Sequence, residues 1–371
     1  MVTVRQILEA INQIAPWDSA ESWDQVGLQV GASDREVARA LVALDLRPEV
    51  IAEGLRLKVD GFITHHPLLF RPLSRIDLRT PLGKAIQTLI QNDLFLIAAH
   101  TNVDKAARGL NDYLATQLGL VSTEPLEPSS TQSLCKIVVF VPESHCKVLR
   151  VAMAKNGAGV IGNYQECAFE MMGTGSFRPT AVANPRLGNQ EQLNRVAEVR
   201  LEMVANQNAI SRIIQAIHSH HPYEEPAVDL IPLLNSSGEG LGRIGELTIP
   251  LRFTELCQLV KERLNPQGAR FSGDPAQNIR RVAICSGSGG SLLKTALRRG
   301  ADLYITGDLD YHDFLTAQEE GLAVIDAGHW ATERGFIQWM TTVFDHQFGT
   351  ENGFEAIPSV AIQTEPFRLL D

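Results

Sequence analysis

A pattern of alternating strands and helices that occurs twice, near each end of the chain, most restricts the possible folds. In its first occurrence, apolar strands alternate with helical segments and lie within residues 39–46, 60–66 and 94–101. In its second occurrence, the corresponding strands lie within residues 280–285, 301–308 and 322–329. Alternation of this kind is typical of parallel sheets covered by helices. The sequence therefore predicts two related α/β lobes that form one unit.

Histidines and carboxylates recur at equivalent strand ends of the two lobes. The second strand of the first lobe ends in two adjacent histidines, and a His-x-x-x-carboxylate motif follows the third strand in both lobes. The residues concerned are His65, His66, His100, Asp104, His329 and Glu333. Any two βαβ units share their alternation, but this repeated motif is less generic. The repeat therefore favours a duplication.

The position of these residues predicts a metal site. Ligands of open parallel sheets bind beyond the carboxyl ends of the strands. Pro67 forces an extended or turning backbone after the histidine pair, so both imidazoles can face one pocket. If the lobes face each other, five residues converge on one cleft: His65, His66, Asp104, His329 and Glu333. Two adjacent histidines suit two neighbouring metal ions, and Glu333 is the best candidate for a bridging carboxylate.

The cysteines indicate which donor atoms would hold such metals. Five cysteines are scattered along the chain without a Cys-x-x-Cys pair. This argues against a disulfide framework and a thiolate zinc site, and it predicts a reducing, cytoplasmic location. Imidazole and carboxylate suit zinc, iron(II) or manganese equally. His100 stays open as a sixth ligand, an acid/base group or a hydrogen-bonding partner of a ligand.

Length and charge exclude several classes of protein. A chain of 371 residues exceeds a usual single core and predicts more than one domain. A net charge of -10 disfavours a nucleic-acid binder that neutralises phosphates. No apolar run approaches the roughly 18 residues of a membrane helix, so no membrane partner is expected.

The middle of the chain predicts an inserted domain. "VSTEPLEPSSTQS" (121–133) has the composition of a linker. The segments after it follow the order β-α-β-β-α-β, which is the ferredoxin-like arrangement of an α+β domain. The predicted domains are a first lobe at 1–125, an insert at 126–240 and a second lobe at 241–371.

Two further motifs have alternative interpretations. "CSGSGGS" (285–291) joins a strand to a helix, so its amides could bind an anion, although a tight turn is as plausible. "HSHHPYEEP" (218–226) is rich in histidine and glutamate, as a second metal site would be. Its histidines His218, His220 and His221 end a predicted helix, where the helix dipole favours them. The capping interpretation is preferred.

Five motifs in order resemble the GTP cyclohydrolase 1 type 2 homolog family, also described as Nif-three-like dinuclear metal proteins. They are "WDQVGLQVG" (23–31), "ITHHPLLF", "AAHTNVDKAARGLND", "CSGSGGS" and "DAGHWATERG". The resemblance extends over nearly the whole chain. "GAGVIGNYQECAFEMMGTGSFRP" and "HPYEEPAVDLIPL" look like the PII-like or CutA-like insert of long bacterial members.

The resemblance implies two divalent metal ions per chain, held by the same five residues. It also implies a toroidal homohexamer and a metal-dependent hydrolase in which activated water attacks the guanine ring of GTP. In such a reaction His100 could move a proton, and the "CSGSGGS" amides or Arg334 could hold phosphate.

Two alternatives remain open at this point. One is a non-catalytic scaffold or metal handler whose insert serves in regulation or interaction. The other is a metallophosphoesterase that acts on a different nucleotide.

Overall fold

The computed structural model describes residues 2–129, 133–162, 164–236, 238–349, 353–360 and 365–368. Contacts divide the chain into two compact units. Unit 1 comprises Met1–Pro128 and Gly238–Asp371, and unit 2 comprises Ser129–Ser237. Within the described ranges, no helix combines the length and the apolar composition that crossing a bilayer requires.

Strands and helices alternate along most of the chain, and the predicted α/β class is confirmed. The strands are β1 (Val2–Thr3), β2 (Gly27–Val30), β3 (Glu36–Val37), β4 (Arg39–Ala43), β5 (Gly61–Thr64), β6 (Phe95–Ala98), β7 (Leu120–Pro128), β8 (Ser133–Pro142), β9 (Phe169–Phe177), β10 (Asn194–Asn206), β11 (Val228–Ser236), β12 (Gly240–Arg252), β13 (Arg270–Ser272), β14 (Asn278–Ser288), β15 (Leu303–Gly307), β16 (Ala323–Asp326) and β17 (Glu355–Pro358). The helices are α1 (Val4–Ile14), α2 (Pro48–Leu57), α3 (Pro81–Gln91), α4 (Thr101–Lys105), α5 (Leu110–Gln117), α6 (Glu143–Lys155), α7 (Ile210–His220), α8 (Phe253–Leu264), α9 (Leu293–Arg298), α10 (Tyr311–Glu319), α11 (His329–Glu333) and α12 (Gly335–Phe348).

The first sheet of unit 1 has the strand order β17-β4-β5-β6-β2. Its first four strands are parallel, and β2 runs antiparallel to β6. Successive residues of β4 pack into different clusters, Ala40 and Val42 into one and Leu41 and Ala43 into the other. Burial on both faces explains why these strands are continuously apolar rather than alternating.

The second sheet of unit 1 has the order β13-β16-β15-β14-β12-β7. Strands β14, β15 and β16 are parallel to one another. The other pairings in the sheet, β13 with β16, β14 with β12 and β12 with β7, are antiparallel. The prediction of a largely parallel sheet is therefore wrong for the outer part. Strand periodicity reveals a strand but does not indicate the direction of its partner.

Strand β7 lies where the sequence suggested a linker. Leu120 pairs with Leu247, and Pro128 pairs with Gly240. The linker interpretation is wrong for residues 121–128, while residues 130–132 lie outside the described part of the chain. The strand carries prolines and polar residues because it is the edge strand of its sheet, where both are tolerated.

C-terminal elements complete the first sheet. Strand β17 pairs in parallel with β4, and Phe336 and Met340 of α12 pack into the cluster that contains Val4 and Ile7 of α1. Elements far apart in the chain thus share one core, and the two strand-helix repeats are not separate bodies.

A buried arginine ties helix α5 to β12. The Arg243 side chain is 1% exposed, and its guanidinium donates to Oδ2 of Asp112 at 2.8 Å. It also donates to the backbone carbonyls of Ala106, Gly240 and Gly242 at 2.6–2.8 Å. These bonds satisfy a charge that would otherwise be costly to bury.

Unit 2 has the element order β8-α6-β9-β10-α7-β11. Its sheet has the order β11-β8-β10-β9, with every neighbour antiparallel. One face packs against the two helices, for example Ile137 and Leu201 against Leu149 and Ile213.

Candidate metal centre

Strand ends position the polar centre of unit 1. Strand β5 is buried along its length, and its pairing with β4 continues beyond it, since His65 N donates to Ala43 O and His66 N donates to Leu44 O. The Thr64 hydroxyl donates to His66 O at 2.8 Å. The extended backbone that Pro67 requires is thereby held in place, and both imidazoles face the same side.

All five predicted ligand residues come together around Glu333. Its Oε2 lies 3.0 Å from Nε2 of His66 and 3.0 Å from Nε2 of His329. Its Oε1 lies 3.6 Å from Nε2 of His65, and Oδ1 of Asp104 lies 3.7 Å from the same nitrogen. The two strand-helix repeats therefore contribute to one centre.

The three imidazoles are oriented through their Nδ1 atoms. His65 Nδ1 donates to the carbonyl of Ala99 at 2.9 Å, because a carbonyl can only accept. His66 Nδ1 lies 2.9 Å from Oδ1 of Asp45. His329 Nδ1 lies 2.7 Å from Oδ2 of Asp308. An ionised carboxylate likewise only accepts, so each neutral imidazole directs the lone pair of its Nε2 toward Glu333.

This arrangement fits a cation. Among the described residues, His65 Nε2 and Glu333 Oε2 are buried polar atoms without a hydrogen-bond partner. Lone pairs that face a carboxylate repel it unless a positive charge lies between them. The ligand atoms also form two groups, each within 4.8 Å: His65, His66 and His100, and His66, His329 and Glu333. These groups could hold a metal ion.

The pKa values reflect the same electrostatics. Burial alone would lower the pKa of His66, but the facing carboxylates of Glu333 and Asp45 raise it to about 11. Glu333 and Asp308 raise the pKa of His329 to about 9 against the effect of burial. Burial would raise the pKa of Glu333, yet His66 and His65 hold it well below its usual range. The centre thus attracts positive charge.

The "CSGSGGS" segment packs against the centre. Most of it belongs to β14, and the Ser286 hydroxyl donates to Oδ1 of Asp104 at 3.0 Å. Gly287 has a φ of +64°, and a Cβ there would lie 2.2 Å from Oε1 of Glu333. Only glycine fits at position 287, because the carboxylate of Glu333 approaches so closely. Burial raises the pKa of Asp104, and the nearby His65 partly offsets this rise.

His100 is oriented in the same way as the other histidines. Its Nδ1 lies 3.0 Å from Oδ1 of Asp24, and its ring centroid is 5.1 Å from that of His65. Asp24 also accepts from the backbone amide of Thr101 at 3.0 Å. Burial would raise the pKa of Asp24, but the bonds from His100 and Thr101 lower it to about 2.

The histidines of the "HSHHPYEEP" motif lie in unit 2. His218 and His220 are in the last turn of α7, where His220 Nδ1 lies 2.8 Å from Ala216 O. His221 follows the helix, and its ring bonds Phe140 O and Tyr223 N. The contact of His220 with a carbonyl of its own helix end agrees with the capping interpretation for that residue. The Arg334 guanidinium lies 5.1 Å from the Trp330 ring.

Sequence reasoning missed the residues that orient the ligands. They are Asp24, Asp45, Asp308 and Ser286. Asp45 follows β4 and Asp308 follows β15, so the rule that located the histidines could also have located these carboxylates. Asp24 lies in a loop before β2, and no periodicity marks it.

Comparison with known proteins identifies similar chains. A family model described as Duf34/NIF3 (NGG1p interacting factor 3) matches residues 2–366. The chain is 40% identical over 325 residues to the GTP cyclohydrolase 1 type 2 homolog of Halalkalibacterium halodurans, covering 87% of each. It is 38% identical over 353 residues to the Bacillus subtilis protein of that name, covering 94% of this chain and 95% of the relative.

Solved structures agree with these sequence matches. The Bacillus cereus protein related to NIF3 has a TM-score of 0.84 and 36% identity, covering 100% of this chain and 99% of that one. Staphylococcus aureus protein SA1388 has a TM-score of 0.77 and 31% identity, with coverage of 100% and 99%. The resemblance inferred from the five motifs is confirmed.

Proposed function

The chain belongs to the Duf34/NIF3 family, and from that premise we propose that it is a hydrolase with two divalent metal ions. The ions would be held by His65, His66, Asp104, His329 and Glu333. The observation that carries this proposal is the convergence of three oriented Nε2 atoms on a buried carboxylate. Oε1 of Glu333 faces His65, whereas Oε2 faces His66 and His329, which supports two ions bridged by this carboxylate rather than one.

The proposed substrate class is nucleotides, and GTP is the first candidate. Support comes from the names of the relatives, which are homologs of GTP cyclohydrolase 1 type 2. Divalent ions at such a site supply Lewis acidity and lower the pKa of water. The reaction class is hydrolytic opening of the imidazole ring of guanine. Zinc, iron(II) and manganese all suit the nitrogen and oxygen donors.

Other side chains of the centre would position the ligands, and one of them would transfer protons. Because Asp24 holds Nδ1 of His100, the free Nε2 of that ring can take up or release a proton beside His65 and His66. Ser286 fixes the carboxylate of Asp104, and Gly287 leaves space for Glu333. His100 is therefore the residue to which we assign proton transfer.

The test is nucleotide turnover by tag-free protein loaded with zinc, iron(II) or manganese, followed by chromatography of GTP. We expect Glu333→Ala to abolish turnover and the exposed control Glu320→Gln to retain it. Turnover that persists in Glu333→Ala would indicate a contaminant. Metal-loaded wild type that leaves GTP and related nucleotides unchanged would contradict the hydrolase.

A non-catalytic scaffold or metal handler is the second candidate. The burial of His65 and Glu333 favours it, because a closed site suits a structural metal. Spectroscopy of the cobalt-substituted protein distinguishes the two, since a hydrolase keeps an exchangeable water and a closed structural site does not.

The assembly we propose is a homohexamer of toroidal form in the cytoplasm. Exposed apolar side chains at Leu73, Ile76 and Leu78 support association of copies. The element order of unit 2 supports a ferredoxin-like module of the PII or CutA kind. Light scattering of the purified protein would test the hexamer, and a monomeric mass would contradict it.

A further inference from the structure

Two exposed aromatic side chains lie side by side at the edge of the metal centre. Trp23 is 54% exposed and Phe70 is 45% exposed. Their ring centroids are 5.7 Å apart, and their planes are inclined by 58°. The indole also meets His100 edge-on at 6.1 Å. The His100 ring thus contacts both the indole and the rings of His65 and His66, with centroid distances of 5.1 and 5.4 Å to these two.

The loop that carries Trp23 is fixed to the centre. The side chain of Asp24, the next residue, holds His100 Nδ1 and the amide of Thr101. The amide of Glu21 donates to the Thr101 hydroxyl at 2.9 Å. Trp23 therefore projects from a turn whose position is set by residues next to the proposed ligands.

The loop that carries Phe70 is tied to the same turn. Gln29 of β2 accepts from the amide of Leu69 at 3.0 Å through its Oε1. Its Nε2 donates to the carbonyl of Gln25 at 3.0 Å. One side chain thus links the backbone before Phe70 to the backbone after Trp23. Aromatic rings held this way lose little conformational entropy when a ligand binds.

The chemistry of two uncharged rings selects the part of a substrate that they can bind. Indole and phenyl faces stack on planar heteroaromatic rings, whereas they offer nothing to a phosphate. A flat ring over the indole would also lie beside His100, where the proposed proton transfer takes place.

We propose that Trp23 and Phe70 form a stacking subsite for the base of a purine nucleoside or nucleotide. The choice of a purine rests on the proposed function, while the choice of a planar ring rests on the geometry. The base is then held by the aromatic pair, and a nucleoside without phosphates binds by the same contacts. Trp23 and Phe70 are specificity residues for the ring.

The experiment is equilibrium dialysis of guanosine, GTP and tripolyphosphate against zinc-loaded, full-length protein. The variants are Trp23→Leu and Phe70→Leu, with Trp23→Phe as a conservative change that keeps a stacking face. The control is Phe271→Leu, which removes a ring that is 61% exposed and contacts Phe253. Metal content and mass by light scattering are measured for each protein.

We expect wild type to bind guanosine and each leucine variant to bind it roughly 5- to 150-fold more weakly, the range for losing one base stack. Trp23→Phe should retain most of the affinity, and Phe271→Leu should retain all of it. Tripolyphosphate binding should be unchanged by Trp23→Leu. Metal content and mass should match wild type in every variant.

Three results would overturn the subsite. The first is no guanosine binding by wild type, and the second is unchanged binding in both leucine variants. The third is a leucine variant with a smaller assembly mass or a lower metal content than wild type. The last would make the pair a contact between copies or a support of the centre. If GTP turnover occurs and Trp23→Leu leaves its KM unchanged, the subsite fails and the hydrolase stands. If guanosine binding depends on Trp23 but no nucleotide is consumed, the hydrolase fails and the subsite stands.

Discussion

At the scale of single residues, the Nδ1 partners decide whether the imidazoles can act as ligands. Asp45 and Asp308 fix the rings of His66 and His329 and make their Nε2 atoms more basic. Partners of this kind usually change metal affinity by about 10- to 100-fold. We expect Asp45→Ala and Asp308→Ala each to weaken zinc binding by about that factor in a chelator competition.

The control for these variants is Asp34→Ala, an exposed aspartate. It should bind zinc as wild type does. Equal affinity in Asp308→Ala and wild type would show that His329 is not a ligand or that its orientation does not matter.

Gly287 tests the close packing around Glu333. Gly287→Ala would place a methyl group 2.2 Å from Oε1 of Glu333, so the carboxylate must move. Gly300→Ala is matched to it, because Gly300 has a φ of +68° and nothing within 4 Å of the added atom. Both variants should lose about 1–2 kcal/mol of unfolding free energy from the left-handed backbone.

Only Gly287→Ala should also lose bound metal, measured by elemental analysis after dialysis. If both glycine variants bind the same amount of metal as wild type, Glu333 is not held as closely as the geometry indicates.

His221 predicts a pH dependence for unit 2. Its ring donates to Phe140 O and accepts from Tyr223 N, so only the neutral form makes both bonds. Burial lowers its pKa below the ordinary 6.5, and His145 and His218 add to this while Glu198 opposes it. The unfolded chain therefore takes up the proton first, and stability falls as the pH drops through 6.5.

Hydrogen exchange of peptides covering α7 and Tyr223, corrected for intrinsic rates, would measure this effect. Protection should be lower at pH 5.5 than at pH 7.5 in wild type, and His221→Gln should reduce the difference. An identical pH difference in the variant would assign the effect to another group.

How much of the site the sequence predicts depends on what each residue touches. His65, His66, Asp104, His329 and Glu333 could be located because they follow strands, and strand ends meet at one edge of a sheet. Their convergence is observed, and their role as ligands stays a prediction. Asp24 could not be located, since its function depends on a loop that returns to His100 across 76 residues.

At the scale of elements, Arg243 holds α5, the segment after α4 and the start of β12 together. Arg243→Ala would leave three buried carbonyls without this donor and, among the described residues, Asp112 with only the backbone amide of Arg108. Removing one partner of a buried ion pair costs about 3–5 kcal/mol. We expect chemical denaturation to show a loss of that size in the free energy of unfolding.

Arg280→Ala is the matched control, because Arg280 makes an exposed ion pair with Glu246 of β12. Exposed pairs contribute about 0–1 kcal/mol, so this variant should unfold almost as wild type does. Equal losses in the two variants would contradict a special role for Arg243.

Elements themselves were more predictable than their partners. The strands β4 to β6 follow local periodicity, and the sequence predicts them within residues 39–46, 60–66 and 94–101, close to their observed bounds. The pairing of β7 with β12 and of β17 with β4 joins residues separated by more than 100 positions. Local pattern carries no information about such partners, so the sequence predicts a linker where β7 lies.

At the scale of the whole molecule, unit 2 is inserted between two strands that pair with each other. Pro128 at the end of β7 is the register partner of Gly240 at the start of β12. We predict that replacing residues 129–237 with Asn-Gly leaves unit 1 folded, because the resulting loop of Asn-Gly, Gly238 and Glu239 is short enough to connect two antiparallel strands. Circular dichroism, thermal unfolding and zinc content would measure this.

Removal of residues 121–237 is the comparison. It deletes β7 as well and exposes the edge of β12, so this protein should aggregate or unfold at a lower temperature. If the shorter deletion also loses zinc, the folding of unit 1 depends on unit 2.

The paired ends of β7 and β12 have a consequence for folding. For unit 1, the segment between them is a loop whose two ends are already held together, whatever its internal state. The entropy of closing a loop grows only with the logarithm of its length, by about 0.6 kcal/mol for each doubling. Unit 2 could therefore unfold while the strands that anchor it stay paired. A protease that cleaves such an unfolded insert would produce two polypeptides that stay associated through the paired strands and the shared core of unit 1.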